Sequence, residues 1–84
     1  MIVVNKNIEI KKMGNQYMIK DETKEVVHIL DDIAGEIIIY LQKGCEINEI
    51  VKKLAQKYVD TEETTIYNDV NEFIETLKHL EIVT

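Results

Sequence analysis

The sequence predicts an α+β domain in which a small antiparallel sheet is followed by three helices. Three patterns carry that expectation. Residues 8–30 hold three strand-like runs, broken by turn residues at Gly14-Asn15 and Asp21–Lys24. From residue 31 the apolar period becomes helical and stays so through three segments. The chain contains no proline to interrupt any of them.

Taken in order, residues 1–7 form an N-terminal arm whose Ile2–Val4 are suited to pairing with a strand. Ile8 and Ile10 alternate with Glu9 and Lys11, the period of a half-buried strand. Gly14-Asn15 suits a tight hairpin, because both residues tolerate positive φ. Gln16–Lys20 is the second strand, with Tyr17 and Ile19 on one face and Met18 on the other. After the polar turn Asp21–Lys24, Glu25–Leu30 is the third strand.

Asp31 then caps a helix over Asp32–Lys43, its carboxylate meeting free amides and the positive helix end. Ile33, Ala34, Ile37, Ile38 and Leu41 make its core stripe, and Gly44 stops it. In the second helix, Ile47–Tyr58, Ile47, Ile50, Val51, Leu54, Ala55 and Tyr58 fall at i, i+3, i+4, i+7, i+8 and i+11. Glu46 precedes it and is a poor cap, so Asn48 is the alternative. The third helix starts near Asp60, with Glu63 at capping-box spacing, and runs to about Leu80. Its stripe is Ile66, Val70, Phe73, Ile74, Leu77 and Leu80, and Ile82 and Val83 are placed to close the core. A β-meander with a short helix–turn–helix describes a winged-helix-like unit.

The totals narrow the function. At 84 residues, 1–84 is a single domain. A chain of that size buries roughly 60–65% of its unfolded surface, which leaves little room for a deep catalytic cavity. No apolar run approaches the roughly 20 residues that span a bilayer, so no membrane role is expected. The opening MIVVNKN is too short for a signal peptide, and the one cysteine, Cys45, excludes an internal disulfide or an all-cysteine metal site. A cytoplasmic protein without cofactors is the expectation.

Charge argues against nucleic acid. The net charge is −6 and there is no arginine. Residues 1–30 carry five Lys against four acids, residues 31–60 four against six, and residues 61–84 one against six. A third helix used as a DNA reader would present Glu62, Glu63, Asp69, Glu72 and Glu75 to phosphates, with only Lys78 in compensation. Catalysis finds no support either. His28 sits in an apolar strand and His79 in a last helical turn, and neither belongs to a motif. Cys45 has no adjacent cation to activate its thiol, and the three glycines are scattered rather than gathered in a phosphate loop.

Peptide binding remains. A three-stranded meander has two open edges, and an extended peptide adds to such an edge through backbone hydrogen bonds. The third strand is the attractive one, with Val26, His28 and Leu30 on one face and Val27 and Ile29 on the other. A strand with one face in water needs no such double apolarity. Cover by helices or by the N-terminal arm is the competing explanation. The same open edge is also able to pair with a second copy, so a homodimer is a further expectation.

These residues also suggest a family. VVHILDDIAGEIIIYLQKG, EINEIVKKLAQKYVD and NDVNEFIETLKHLEIV, in that order and spacing, resemble the PqqD-like proteins, also called precursor-peptide recognition elements. The resemblance rests on Leu30-Asp31, Ala34-Gly35, Ile37-Ile38, Gly44, Glu49-Ile50, Asp69-Val70 and Phe73-Ile74, and covers about residues 17–83. Asp31 replaces a usual Asn, and Glu46 a usual Ser or Thr.

The resemblance implies a non-catalytic adaptor. It would bind the leader segment of a ribosomally synthesised precursor peptide as a fourth strand beside the third. It would then present it to a modifying enzyme, such as a radical-SAM maturase or a leader peptidase. The implied groove lies between Val26–Leu30 and the third helix, on the flank bearing Asp69, Val70, Phe73, Thr76 and Leu77. The flank of Tyr67, Ile74 and Lys78 is the other choice. The alternative function is an acidic winged-helix interaction module or an atypical DNA-binding regulator.

Overall fold

In the computed structural model, which describes residues 2–84, the elements are β1 (Ile8–Met13), β2 (Gln16–Asp21), β3 (Val26–Leu30), α1 (Asp32–Gln42), α2 (Ile47–Lys57) and α3 (Glu63–His79). The strands form one antiparallel sheet in the order β1-β2-β3, followed by the three helices, as the periodicities predict.

Each turn has a local cause. Met13 pairs with Gln16, leaving Gly14 and Asn15 as a two-residue loop. Gly14 has φ 64° and Asn15 does not share that sign, which is the type II′ pattern that matches strand twist. The second turn is built on Asp21, which ends β2 and is 2% exposed. Its Oδ1 accepts from the Thr23 amide (3.0 Å), the Lys24 amide (3.2 Å) and Asn7 Nδ2 (2.7 Å). Burial alone would raise this carboxyl. The bonds from Lys24, Asn7 and Thr23, with the Lys24 charge, outweigh it and hold the carboxyl below its ordinary value. Glu25 has φ 55°, so it belongs to the turn and β3 begins one residue later than expected.

The helix ends are equally specific. Asp31 Oδ1 accepts from the Ala34 amide at 2.8 Å, the expected cap. At the other end of α1, Gly44 (φ 87°) donates to the Leu41 carbonyl and Cys45 to the Tyr40 carbonyl, each at 3.0 Å. That pair of bonds is a Schellman closure. Glu46, not Asn48, is the cap residue of α2, and the Glu49 carboxylate reaches back to its amide at 3.3 Å. Helix α3 starts at Glu63 rather than near Asp60. The Thr61 amide bonds the Tyr58 carbonyl (3.1 Å), which closes a turn that the expected Asp60 cap would have had to break.

The end of α3 repeats the Schellman pattern without a glycine. Glu81 has φ 62°, its amide bonds the Lys78 carbonyl at 3.0 Å, and the Ile82 amide bonds the Leu77 carbonyl at 2.9 Å. Leu77 and Ile82 are both 1% exposed and supply the apolar contact that accompanies such a closure. The tail then meets the N-terminal arm. Val3 and Thr84 exchange backbone bonds of 3.0 and 2.9 Å, and Asn5 donates to the Ile82 carbonyl at 3.0 Å.

The core lies between the sheet's inner face and the helices. Register places Tyr17 opposite Leu30, Ile19 opposite both Ile10 and His28, and Asp21 opposite Val26. Those residues share the inner face. Tyr17, Ile19, Ile37, Ile38, Leu41, Ile50, Leu54, Val70, Ile74, Leu77, Ile82 and Val83 are buried together. Two residues expected in helical stripes are not in the core: Ile33 is 44% exposed and Leu80 37%, because both sit in terminal turns that overhang it. Gly35 is buried, and a Cβ there would overlap the Tyr17 ring.

Two outcomes follow from this packing. Gly35→Ala improves helix propensity by roughly 1 kcal/mol but drives a methyl into the Tyr17 ring. Overpacking of this kind costs about 1–3 kcal/mol, so urea denaturation should show a net loss. The second concerns acid. A carboxyl held below its ordinary value contributes stability above that value and loses it as pH falls toward the folded one. The Tm gap between wild type and Asp21→Asn should therefore be full at neutral pH and close as pH falls below about 4. A gap independent of pH would contradict the charged account of this turn.

Candidate functional site

Strand β3 pairs with β2 on one side only, through Leu30 to Tyr17, Ile29 to Met18, His28 to Ile19, Val27 to Lys20 and Val26 to Asp21. Its other edge has no strand among the described residues. The N-terminal arm, one candidate cover, is engaged instead with residues 82–84. The strand is apolar in sequence and open in structure: Val26, Val27 and Ile29 are exposed, while His28 and Leu30 are half-buried.

The register separates two groups within β3. Val26, His28 and Leu30 share the inner face with Tyr17 and Ile19, the side on which α1 lies. Val27 and Ile29 point to the outer face of the sheet, beside Lys20 and Met18.

On α3, Asp69, Glu72, Phe73 and Thr76 line one shallow depression of about 310 Å³. Phe73 is half-buried against the core, and the other three side chains are exposed. The expected flank is thus a continuous surface, with Glu72 as a member that the spacing did not single out. Val70 and Leu77 correct the sequence reading. Each is 1% exposed, because they occupy the inward stripe and fill the core beneath the depression. They anchor α3 to the core, and Val70 also lines a neighbouring cavity.

Asp69 also borders a second, smaller cavity of about 160 Å³, lined by Ile33, Ile37, Leu54, Tyr58, Thr61, Ile66 and Val70. Sequence reasoning missed Ile33 and Thr61 here. The only available signal was Ile33's position in the first turn of α1, where a core stripe overhangs its neighbour. The opposite flank also has concavities: Tyr67 and Asn48 are shared by two of them, of about 290 and 500 Å³.

The turn before β3 is tied to the end of α3. Lys24 Nζ lies 2.8 Å from Glu81 Oε1 and 3.4 Å from the Leu80 carbonyl, and Asn5 Nδ2 donates to the Glu81 carbonyl. The start of β3 is thereby held beside the last turn of α3. An exposed ion pair contributes little energy, but here it acts with two main-chain carbonyls.

Among the described residues, no group of three or more His, Cys, Asp or Glu side chains is arranged to hold a metal ion, and no helix is long and apolar enough to cross a membrane. The site offers unpaired backbone groups, apolar side chains and carboxylates.

Comparison with known proteins agrees with this architecture. No curated protein matches the chain significantly. Two solved structures share its fold at 18% sequence identity and a TM-score of 0.89. One, TbiB1 in complex with the TbiA(beta) leader peptide, is matched over 95% of this chain and 92% of its own. The other, lasso peptide synthetase B1 complexed with the leader peptide, is matched over 99% and 96%. The sequence profile of a family described as coenzyme PQQ synthesis protein D (PqqD) matches residues 16–83, from the start of β2 to the penultimate residue. The chain therefore belongs to the PqqD family.

Proposed function

We propose that this protein is a non-catalytic adaptor that takes the leader segment of a ribosomally synthesised precursor peptide as a fourth strand on β3 and presents it to a modifying enzyme. The observation that carries this reading is the bare edge of Val26–Leu30, apolar and exposed on a sheet whose arm and helices are engaged elsewhere. Two proteins of the same fold, named as leader-peptide complexes, support it.

The chemistry is that of strand addition. A guest strand exchanges hydrogen bonds with the outward amides and carbonyls of β3, and its alternate side chains turn toward the helices. For a guest lying between β3 and α3, the Asp69–Thr76 flank offers Phe73 for an apolar anchor and Asp69 and Glu72 for a basic one. About five backbone bonds at roughly 1 kcal/mol each, with two or three apolar anchors at roughly 1.5–3 kcal/mol, exceed the 4 kcal/mol or more lost on association. The remainder, about 4–10 kcal/mol, corresponds to binding between about millimolar and tens of nanomolar. The acidic last third steers a leader carrying Lys or Arg more than it adds affinity. The radical-SAM maturases and leader peptidases are the enzyme classes such an adaptor would serve. DNA binding is not favoured, since α3 exposes Glu63, Asp69, Glu72 and Glu75 along its length.

Titration with the leader segment of a cognate precursor peptide tests the reading. Amide resonances of Val26–Leu30 and of the Asp69–Thr76 flank should shift. Leaders N-methylated one position at a time should lose affinity by about tenfold at every second residue, the signature of a ladder with one edge. Shifts confined to the Tyr67 and Asn48 side, or an N-methyl effect without alternation, would refute strand addition on β3.

A further inference from the structure

The outer face of the sheet has a feature that strand addition leaves unused. Val27 and Ile29 project there, not toward the helices, and at 49% and 53% they are the most exposed apolar side chains in the sheet. Met18 lies opposite Ile29, and Lys20 opposite Val27, with Lys11 and Glu9 next in line on β1. A ladder on β3 needs only main chain from positions 27 and 29, so a polar β-former would serve the leader equally well. The apolar pair therefore answers to something else.

Charge narrows what that is. Residues 1–30, which form the sheet, carry five Lys and four acids, whereas residues 31–84 carry five Lys and twelve acids. On the outer face Lys11 and Lys20 stand against Glu9 alone. A partner surface bearing carboxylates is repelled by the helical side of this molecule and accepted by the sheet side.

We infer that the outer face docks the modifying enzyme itself, through a patch on that enzyme with an apolar centre and a rim of carboxylates. The apolar centre would cover Val27, Ile29 and Met18, and the rim would pair with Lys11 and Lys20. The inference rests on the adaptor reading and extends it. A guest strand on β3 turns every second side chain to this same face, beside Val27 and Ile29. The docked enzyme would then span the adaptor and its cargo together, with the leader at the seam.

The test separates this surface from the leader edge. Lys11→Glu/Lys20→Glu changes exposed side chains on β1 and β2, and Met18→Glu places a charge at the centre of the patch; none is on β3, whose edge takes the leader. Affinities are measured for the purified leader peptide and for the purified cognate modifying enzyme. Both variants should bind leader within about twofold of wild type while binding enzyme about tenfold or more weakly, as loss of a docking centre does. Tyr67→Ala, on the far flank, should alter neither. Enzyme binding equal to wild type in both variants would overturn the inference, as would a wild-type protein that takes the leader but not the enzyme. So would variants that abolish self-association, measured by sedimentation, while leaving enzyme binding intact, since the occupant would then be a second copy. Failure of the wild type to bind leader counts against the adaptor reading instead.

Discussion

The Tyr17 ring lies where residue 35 has no side chain, and the arrangement of this molecule depends on that contact. A glycine in the first turns of α1 weakens the helix by itself. In return it lets the helix axis approach β2 closely enough for an aromatic ring to lie against its backbone. Tyr17 is paired with Leu30, so the contact also fixes the end of β3 from which α1 departs. With α1 pinned over β2 and β3, one face of the sheet is closed. Among the described residues, no strand or helix covers the edge of β3 or the outer face.

The other end of β3 is held by different means. Asp21, nearly inaccessible to solvent, draws in the amides of Thr23 and Lys24 and the side chain of Asn7, and so shapes the turn that delivers Val26. Across from it, Glu81 takes a left-handed conformation where a helix closure ordinarily has glycine. Its backbone amide closes α3, its carbonyl accepts from Asn5, and its carboxylate pairs with Lys24. One strained residue thus joins the arm, the turn and the last helix. A glycine would relieve the backbone but could not supply the carboxylate. The edge is held at both ends by contacts outside it, which is what a strand with no neighbour on one side requires.

This division explains what the sequence disclosed and what it concealed. Alternation and 3.6-residue periodicity are properties of many residues at once, and they made the three strands and three helices plain. Caps with a strong side-chain preference were also legible, as Asp31 and Gly44 show. Closures made by an atypical residue were not: nothing about Glu81 or Glu25 announces a positive φ. The start of α3 departs from the sequence pattern because a carboxylate at Asp60 fits a cap, while the turn closed by Tyr58 and Thr61 has no side-chain signature. For the site, residue types marked β3 as doubly apolar, but only the register shows which two residues face away from the helices. The stripe on α3 is a single apolar row in sequence. Packing divides it into Val70 and Leu77, which are interior, and Phe73, which is at the boundary.

An apolar edge with no guard is a hazard, since it invites pairing with any extended chain. Many sheets defend such an edge with a proline, an inward charge or a bulge. This strand has none of the three; its register with β2 is unbroken and the chain has no proline at all. Two features limit the hazard. The strand is five residues long, so indiscriminate pairing gains few hydrogen bonds. The net charge of −6 keeps copies apart at a distance without placing any charged side chain on the edge itself. Because that charge sits on residues 31–84 and not on the sheet, it bears on whole copies of this chain rather than on a short segment approaching the strand. The edge itself is left unobstructed, which is the condition a strand must meet if pairing with a particular guest is its purpose.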